Sequence, residues 1–224
     1  DSLNPDIVHC HSSKSGVIGR LAAYLSATPS IFTAHGWAFS EGVSYKKRYI
    51  YEQIERFMAK YTYKIICVSN YDKNLALKVM PEYKDKLITI HNGIPEIDMT
   101  TYENSYNDRV LKLIMVARFS PPKNQKLLVD AAINLIESDI DLELTFVGDG
   151  PNLESIKHYV NQLNLNSKIY FLGSRTDIAE ILTKHDVFIL ISNWEGFPIS
   201  IIEAMRQGLT IIASDVGGVN ESVE

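Results

Sequence analysis

The stretch from Asp186 to Gly208, DVFILISNWEGFPISIIEAMRQG, constrains this chain more than any other. Val187 to Ile191 is a short apolar run, the pattern of a strand buried on both faces of a parallel sheet. Asn193 to Phe197 reads as a loop around Gly196, and Pro198 to Gln207 as a helix. Pro198 suits the first helical turn, where its missing N–H costs nothing, and Gly208 suits the C-terminal cap. Strand, tight loop and helix in that order put the loop at the carboxyl edge of a parallel sheet. A helix N-terminus there offers free N–H groups and partial positive charge to an anion.

The remainder of the chain repeats this alternation. Asp6–His11, Ser30–His35, Lys64–Ser69 and Lys86–His91 read as strands, with helices over Ser15–Ala27, Tyr45–Tyr61 and Asp72–Met80. The Tyr45–Tyr61 helix carries apolar or aromatic side chains at Tyr49, Ile50, Ile54, Phe57 and Met58, near the helical period. Between Ile94 and Asp108 the pattern gives way to polar residues with Pro95, as in a linker. A second series has strands at Val110–Val116, Leu142–Val147, Lys168–Leu172, Val187–Ile191 and Leu209–Ser214. Helices over Asn124–Glu137, Asn152–Leu163 and Thr176–Lys184 alternate with them. Alternating β and α favours parallel sheets covered by helices on both faces. The expectation is an α/β protein of two Rossmann-like domains, 1–95 and 109–224, joined by a linker over 96–108.

At 224 residues the chain exceeds the common single-domain size, and a hydrophobic content of 46% is ample for two cores. A net charge of −5 gives no overall attraction to nucleic acid, which is not an expected partner. Lys46-Lys47-Arg48 is the one local basic patch read in the first series. No apolar run reaches about 18 residues, the length of a membrane span. The expected location is cytoplasmic, with membrane contact limited to a peripheral one at the inner face. Cys10 and Cys67 fall in strand-like runs without CxxC spacing and read as buried thiols of a reducing compartment.

Glu195 and Glu203 frame the central turn with seven residues between them. Carboxylates accept hydrogen bonds, so they suit the hydroxyls of sugars and riboses. Glu203 stands about 7 Å along its helix, which lets two polyol rings at the ends of a diphosphate each find one Glu. The alternative is a loop carboxylate at Glu195 and a Glu203–Arg206 pair. Arg118 ends a strand and Lys123 opens the next helix, which places two cations as a pyrophosphate clamp or as plain surface charges. Gly148-Asp149-Gly150-Pro151 lacks the third glycine of a dinucleotide fingerprint, so its role reads as structural. His35, followed by Gly36, ends a strand, where it can serve the site or bond within its loop. Strand alternation sets His9 and His11 on one face and Cys10 on the other, and without further ligands nearby no metal is expected. His11-Ser12-Ser13-Lys14-Ser15-Gly16 opens a helix with hydroxyls, a cation and N–H groups that suit a phosphate or an acceptor hydroxyl.

The Glu195–Glu203 segment resembles the E-x7-E motif of the family 4 retaining glycosyltransferases, whose fold is called GT-B. Val116–Gln125, the Gly-Asp-Gly-Pro turn and the His-Ser-Ser-Lys-x-Gly segment are also similar to that family, the last to members that build capsular and other surface polysaccharides. Ala117 and Asn124 depart from it, standing where glycine is common. The resemblance implies that Glu195 contacts the transferred sugar and Glu203 the ribose. It implies that Arg118, Lys123 and the helix N-terminus at Phe197–Pro198 hold the diphosphate, with Gly196 and Phe197 among the donor-binding residues. It also implies that the ligand lies in the cleft between the domains, that Arg175 lies near the base, and that His35 touches the donor sugar near the reacting carbon. The implied reaction moves a hexose, with retention, from a nucleotide sugar, uridine-based by expectation, to a polysaccharide or lipid-linked acceptor. The implied cofactor is none beyond that donor, and the implied metal none. A non-hydrolysing nucleotide-sugar epimerase and a non-catalytic nucleotide-sugar-binding subunit are the alternatives. The family also has earlier strands and later helices than those read here, so the expectation is an internal portion with an incomplete N-terminal domain.

Overall fold

The computed structural model describes residues 4–96 and 110–223, so nearly all of the expected linker lies outside the described residues. Two parallel sheets organise the chain. The first is built from β1 (Val8–His11), β2 (Ser30–Ala34), β3 (Lys64–Cys67) and β4 (Leu87–Thr89), in the order β1-β2-β3-β4. Helices α1 (Ser13–Leu25), α2 (Tyr45–Lys60) and α3 (Asn70–Val79) connect them. In register, Val8 faces Ser30, Ile31 faces Lys64 and Ile65 faces Leu87.

The second sheet runs β5 (Leu111–Val116), α4 (Gln125–Glu137), β6 (Leu142–Val147), α5 (Leu153–Gln162), β7 (Ile169–Phe171), α6 (Ile178–Leu182), β8 (Val187–Leu190), α7 (Ile199–Arg206) and β9 (Thr210–Ala213). Its strand order is β7-β6-β5-β8-β9. The chain winds outward from β5 in one direction and, after crossing to β8, in the other. That reversal leaves a crevice at the carboxyl ends of β5 and β8, where ligands of open α/β sheets bind. Each sheet has its own core: Phe32, Ile65, Ala76 and Met80 in the first, Ile114, Leu142, Phe146 and Phe188 in the second. The fold is thus α/β with two Rossmann-like units. Two 3-10 turns, Pro81–Lys86 and Val219–Glu221, add to the elements read from sequence.

The central strand, loop and helix form as their residues dictate, with one shift. Pro198 is the N-cap of α7 rather than its first helical residue, and its carbonyl accepts the Ile201 N–H at 3.3 Å. At the other end Gln207 is the C-cap, and Leu209 N–H returns to the Ala204 carbonyl at 3.2 Å.

Helix α2 departs from its apolar pattern. Of Tyr49, Ile50, Ile54, Phe57 and Met58 only Met58 is buried, and the helix packs through Glu55, Met58 and Ala59. The stripe is narrow because Glu55 is drawn inward by Arg20 of α1, at 2.8 Å. Arg20 is itself fully buried, lies over the Phe32 ring at 4.1 Å, and donates through Nε to the Gly16 carbonyl at 2.9 Å. Burial pushes the Glu55 carboxyl up, against the pull of the Arg20 charge and its hydrogen bond. Cys10 and Cys67 are buried free thiols, and burial, with the charge of Asp72, pushes Cys67 up to about 12.

Candidate functional site

The loops after β5 and β8 are laced together at the crevice. Asn124 N–H donates to the Ile191 carbonyl at 2.9 Å, and Asn193 N–H donates to that of Pro122 at 3.1 Å. Lys123 and Ser192 form an antiparallel bridge between these two hydrogen bonds. Asn124 then caps α4, its side chain accepting the Leu127 N–H at 3.2 Å. This lacing brings the Lys123 ammonium onto the Glu195 carboxylate in an ion pair whose side chains are 17% and 10% exposed. Two groups with separate expected roles, one for phosphate and one for sugar, are therefore adjacent.

On one side of that pair lies an open cleft of about 530 Å³, walled by Arg118, Gly148, Asp149, Gly150, Ser174 and Arg175. Its floor is backbone. Ala117 N–H donates to the Val147 carbonyl, Gly148 N–H to that of Gly173, and Phe119 N–H to that of Asp149. Gly148 has φ +136°, and a Cβ there would lie 2.1 Å from the Ala117 carbonyl oxygen, so the glycine is required by close backbone approach. Arg118 is exposed and makes no ion pair among the described residues. Arg175 differs: its Nε and Nη2 bond both oxygens of Asp177, at 2.8 and 2.5 Å.

On the other side, between the two units, a cavity of about 270 Å³ is lined by His35, Trp37, Tyr71, Asp72, Trp194 and Glu195, among others. His35 Nε2 lies 3.0 Å from His11 Nδ1, and His9 Nε2 lies 2.8 Å from the Thr33 hydroxyl. The His9 and His11 rings are 4.2 Å apart on the face opposite buried Cys10, as strand alternation requires. Burial, then the proximity of His11 and His9, holds the His35 imidazole below its usual range, which favours its neutral form near neutral pH.

Asp72, Tyr71 and Trp194 were not singled out in the sequence. Asp72 reads there as an ordinary polar residue in the first turn of a helix, and only the tertiary fold places it 1% exposed beside the cavity. Its Oδ2 accepts the Ser69 hydroxyl at 2.9 Å. Burial raises its pKa to about 6, the Ser69 hydrogen bond opposing and the Glu221 charge adding. The folded state thus holds a proton that the unfolded state, near 3.8, releases earlier. This contribution is fully present below about 3.8 and is lost as pH rises to about 6. Asp72→Asn should flatten that part of the stability profile in denaturant titrations from pH 4 to 7. A profile as steep as that of the wild type would show that Asp72 does not titrate there.

The other expected site residues are placed as follows. Gly196 lines the inter-unit cavity. Phe197 is buried, its ring stacked on His91 at 4.7 Å and its carbonyl accepting from Asn92 Nδ2 at 2.9 Å, and it lines neither the cleft nor the inter-unit cavity. Glu203, the fifth residue of α7, is half-buried and lines neither the cleft nor the cavity; burial raises its pKa and Arg206 opposes. Ser12 and Ser15, at the start of α1, bond each other at 2.8 Å, and Ser15 also donates to the His11 carbonyl. Among the described residues no group of three or more His, Cys, Asp or Glu is arranged to hold a metal. Asp139-Ile140-Asp141 stands before β6 at the opposite edge of the sheet, where Asp141 pairs with Lys168.

Comparison with known proteins bears on this geometry. Residues 102–224 match the family described as Glycosyl transferases group 1, and residues 1–96 match Glycosyltransferase Family 4. The chain belongs to the group 1 glycosyltransferases. Among relatives of this glycosyltransferase chain is the UDP-Gal:alpha-D-GlcNAc-diphosphoundecaprenol alpha-1,3-galactosyltransferase of Escherichia coli, 36% identical over 96% of this chain and 59% of that protein. Another is the O-antigen biosynthesis glycosyltransferase WbnH of the same organism, 31% identical over 95% of this chain and 59% of that one. The chain thus spans about three fifths of the length of these curated relatives. Among solved structures, Anabaena Alr3699/HepE in complex with UDP and glucose matches with a TM-score of 0.81 at 23% identity, over 98% of this chain and 61% of that one. The pneumococcal O-GlcNAc transferase GtfA matches with a TM-score of 0.79 at 19% identity, over 96% and 43%. These likenesses place the glycosyltransferase chain in the GT-B fold.

Proposed function

We propose that the protein transfers a hexose, with retention, from a UDP-sugar to a polysaccharide or lipid-linked acceptor. The observation that carries this reading is the Lys123–Glu195 pair, set between the Arg118 cleft and the His35 cavity. A diphosphate in the cleft meets Arg118, and its sugar reaches Glu195 beside His35. As the anomeric C–O bond breaks, negative charge grows on the diphosphate. Arg118 and Lys123 stabilise it more in the transition state than in the ground state, so the neutralising charge comes from the protein's own cations. The acceptor enters from the His35 wall, and the departing phosphate takes its proton on the same face. The uridine donor and the lipid-linked acceptor are supported by the E. coli galactosyltransferase. They agree with a cytoplasmic enzyme working peripherally at the inner face of a membrane. We assign the acceptor side to 1–95 and the donor side to 109–224, a division that the separate cores of the two sheets support.

The two glutamates separate the parts of this reading. Glu203 lines neither the cleft nor the cavity, and its ribose role rests on the family resemblance alone. On that role Glu203→Gln is expected to weaken UDP and UDP-hexose alike, whereas Glu195→Gln is expected to spare UDP and weaken only the sugar-bearing donor. Titration calorimetry of both ligands on both variants measures this, with product analysis for transferred against epimerised sugar. Equal losses from the two substitutions would refute the division, and free epimerised nucleotide sugar would refute transfer.

A further inference from the structure

The segment after β9 carries a carboxylate that the proposed reaction does not use. Glu221 ends the 3-10 turn Val219–Glu221, and its side chain leaves the second unit for the first. Its two oxygens accept the N–H groups of Asn70 and Tyr71, each at 2.7 Å, in the first turn of α3. His91 Nε2, just beyond β4, lies 2.9 Å from Oε2. Burial pushes this carboxyl up, but the two amides and His91 outweigh it and hold the group below the usual carboxylate range.

The surroundings tie this contact to the site. A Cβ on Gly217 would lie 1.9 Å from the Glu195 carbonyl oxygen, and one on Gly218 would lie 2.0 Å from that of Gly196 and 2.6 Å from Ser69 Cβ. The backbone leading to Glu221 is therefore pressed between the Glu195–Gly196 loop and Ser69, the N-cap of α3. On the far side, His91 stacks on Phe197, and Asn92 holds the Phe197 carbonyl. Every arm of the contact ends on the Glu195–Phe197 loop or on the part of the first unit that carries Tyr71 and Asp72.

We infer that Glu221 is a positioning residue: by docking on the start of α3 it sets the spacing between the His35–Asp72 wall and the Glu195 wall of the inter-unit cavity. Its kinetic consequence rests on the transfer reaction proposed above. Two reactants held by opposite walls react only at near-attack spacing, and a misplacement of about 1 Å can cost about 100-fold in rate. The Arg118 cleft lies wholly within the second unit and does not depend on that spacing.

Glu221→Gln sets an amide nitrogen against N–H donors and removes the charge. His91→Phe keeps a ring on Phe197 but removes one arm. In the full-length protein, spin labels at Gln53→Cys on α2 and Glu154→Cys on α5, both exposed sites, report the inter-unit distance. The expected result for Glu221→Gln is a broader and longer distance distribution, with transfer reduced about 100-fold. UDP affinity should change far less than transfer, since the Arg118 cleft is lined by the second unit alone. His91→Phe should show a smaller change in the same direction, and it carries the test if Glu221→Gln does not fold. Unchanged distances, or changed distances with undiminished transfer, would overturn the inference. Wild-type protein without UDP binding or transfer would instead defeat the proposed reaction, leaving the distances to judge Glu221.

Discussion

Arg20→Met should lower stability at pH 7 by about 3–5 kcal/mol, the usual consequence of leaving one member of a buried ion pair uncompensated. Both side chains are almost fully buried, at 0% and 3% exposure, so solvent gives the remaining Glu55 carboxylate little relief. Glu55 already holds its proton above the usual range because of burial, and losing Arg20 removes the groups that oppose this. The variant's folded state then binds a proton that its unfolded state releases, so its deficit should shrink as pH falls toward 4.5, the ordinary Glu value. Denaturant titrations at pH 7 and pH 5 measure both effects. Adding Glu55→Leu should recover most of the loss, because an apolar pair of similar volume replaces the ions without stranding a charge. A deficit below about 1 kcal/mol would mean that the pair is hydrated like a surface ion pair.

Arg118→Ala is the functional counterpart. Its side chain is exposed, so its removal should leave fold stability nearly unchanged. Hydrogen bonds to charged groups contribute about 1.5–3 kcal/mol. UDP affinity should therefore fall by about 10- to 150-fold, at 1.4 kcal/mol per decade. Raising salt should narrow the gap between wild type and variant, since the contact is partly exposed. Lys123→Ala should also weaken UDP, and UDP-hexose further, because it strips Glu195 of its cation as well. Calorimetry with UDP measures both variants, and unchanged affinity in both would remove these cations from the site.

The sequence made the second sheet legible for a physical reason. Buried parallel strands are short apolar runs, and Val187–Leu190 is followed by a loop whose closing Gly-Phe-Pro commits the next residues to a helix. The turn chemistry around Gly148 and the cations at Arg118 and Lys123 were legible in the same way, because loop position follows from strand and helix bounds. What was hidden depends on partners far apart in the chain. Arg20 and Glu55 are 35 residues apart and each looks like a surface charge on its own helix. Lys123 meets Glu195 across 72 residues, and Glu221 meets Tyr71 across 150. Periodicity also misled at α2, where Tyr49, Ile50 and Phe57 follow the helical repeat yet remain exposed, because the inward stripe is set by Glu55. Helical spacing says which side chains share a face, and it does not say which face is covered.

The central claim is that the donor diphosphate lies at the carboxyl edge of the second sheet, between the Arg118 cleft and the Lys123–Glu195 pair. The crystal structure of the full-length protein with UDP tests it most directly. The expected result is density for the diphosphate within hydrogen-bonding reach of Arg118 and Lys123, with the Lys123 ammonium drawn from Glu195 toward phosphate. UDP bound away from Arg118, with the Lys123–Glu195 pair undisturbed, would contradict the account.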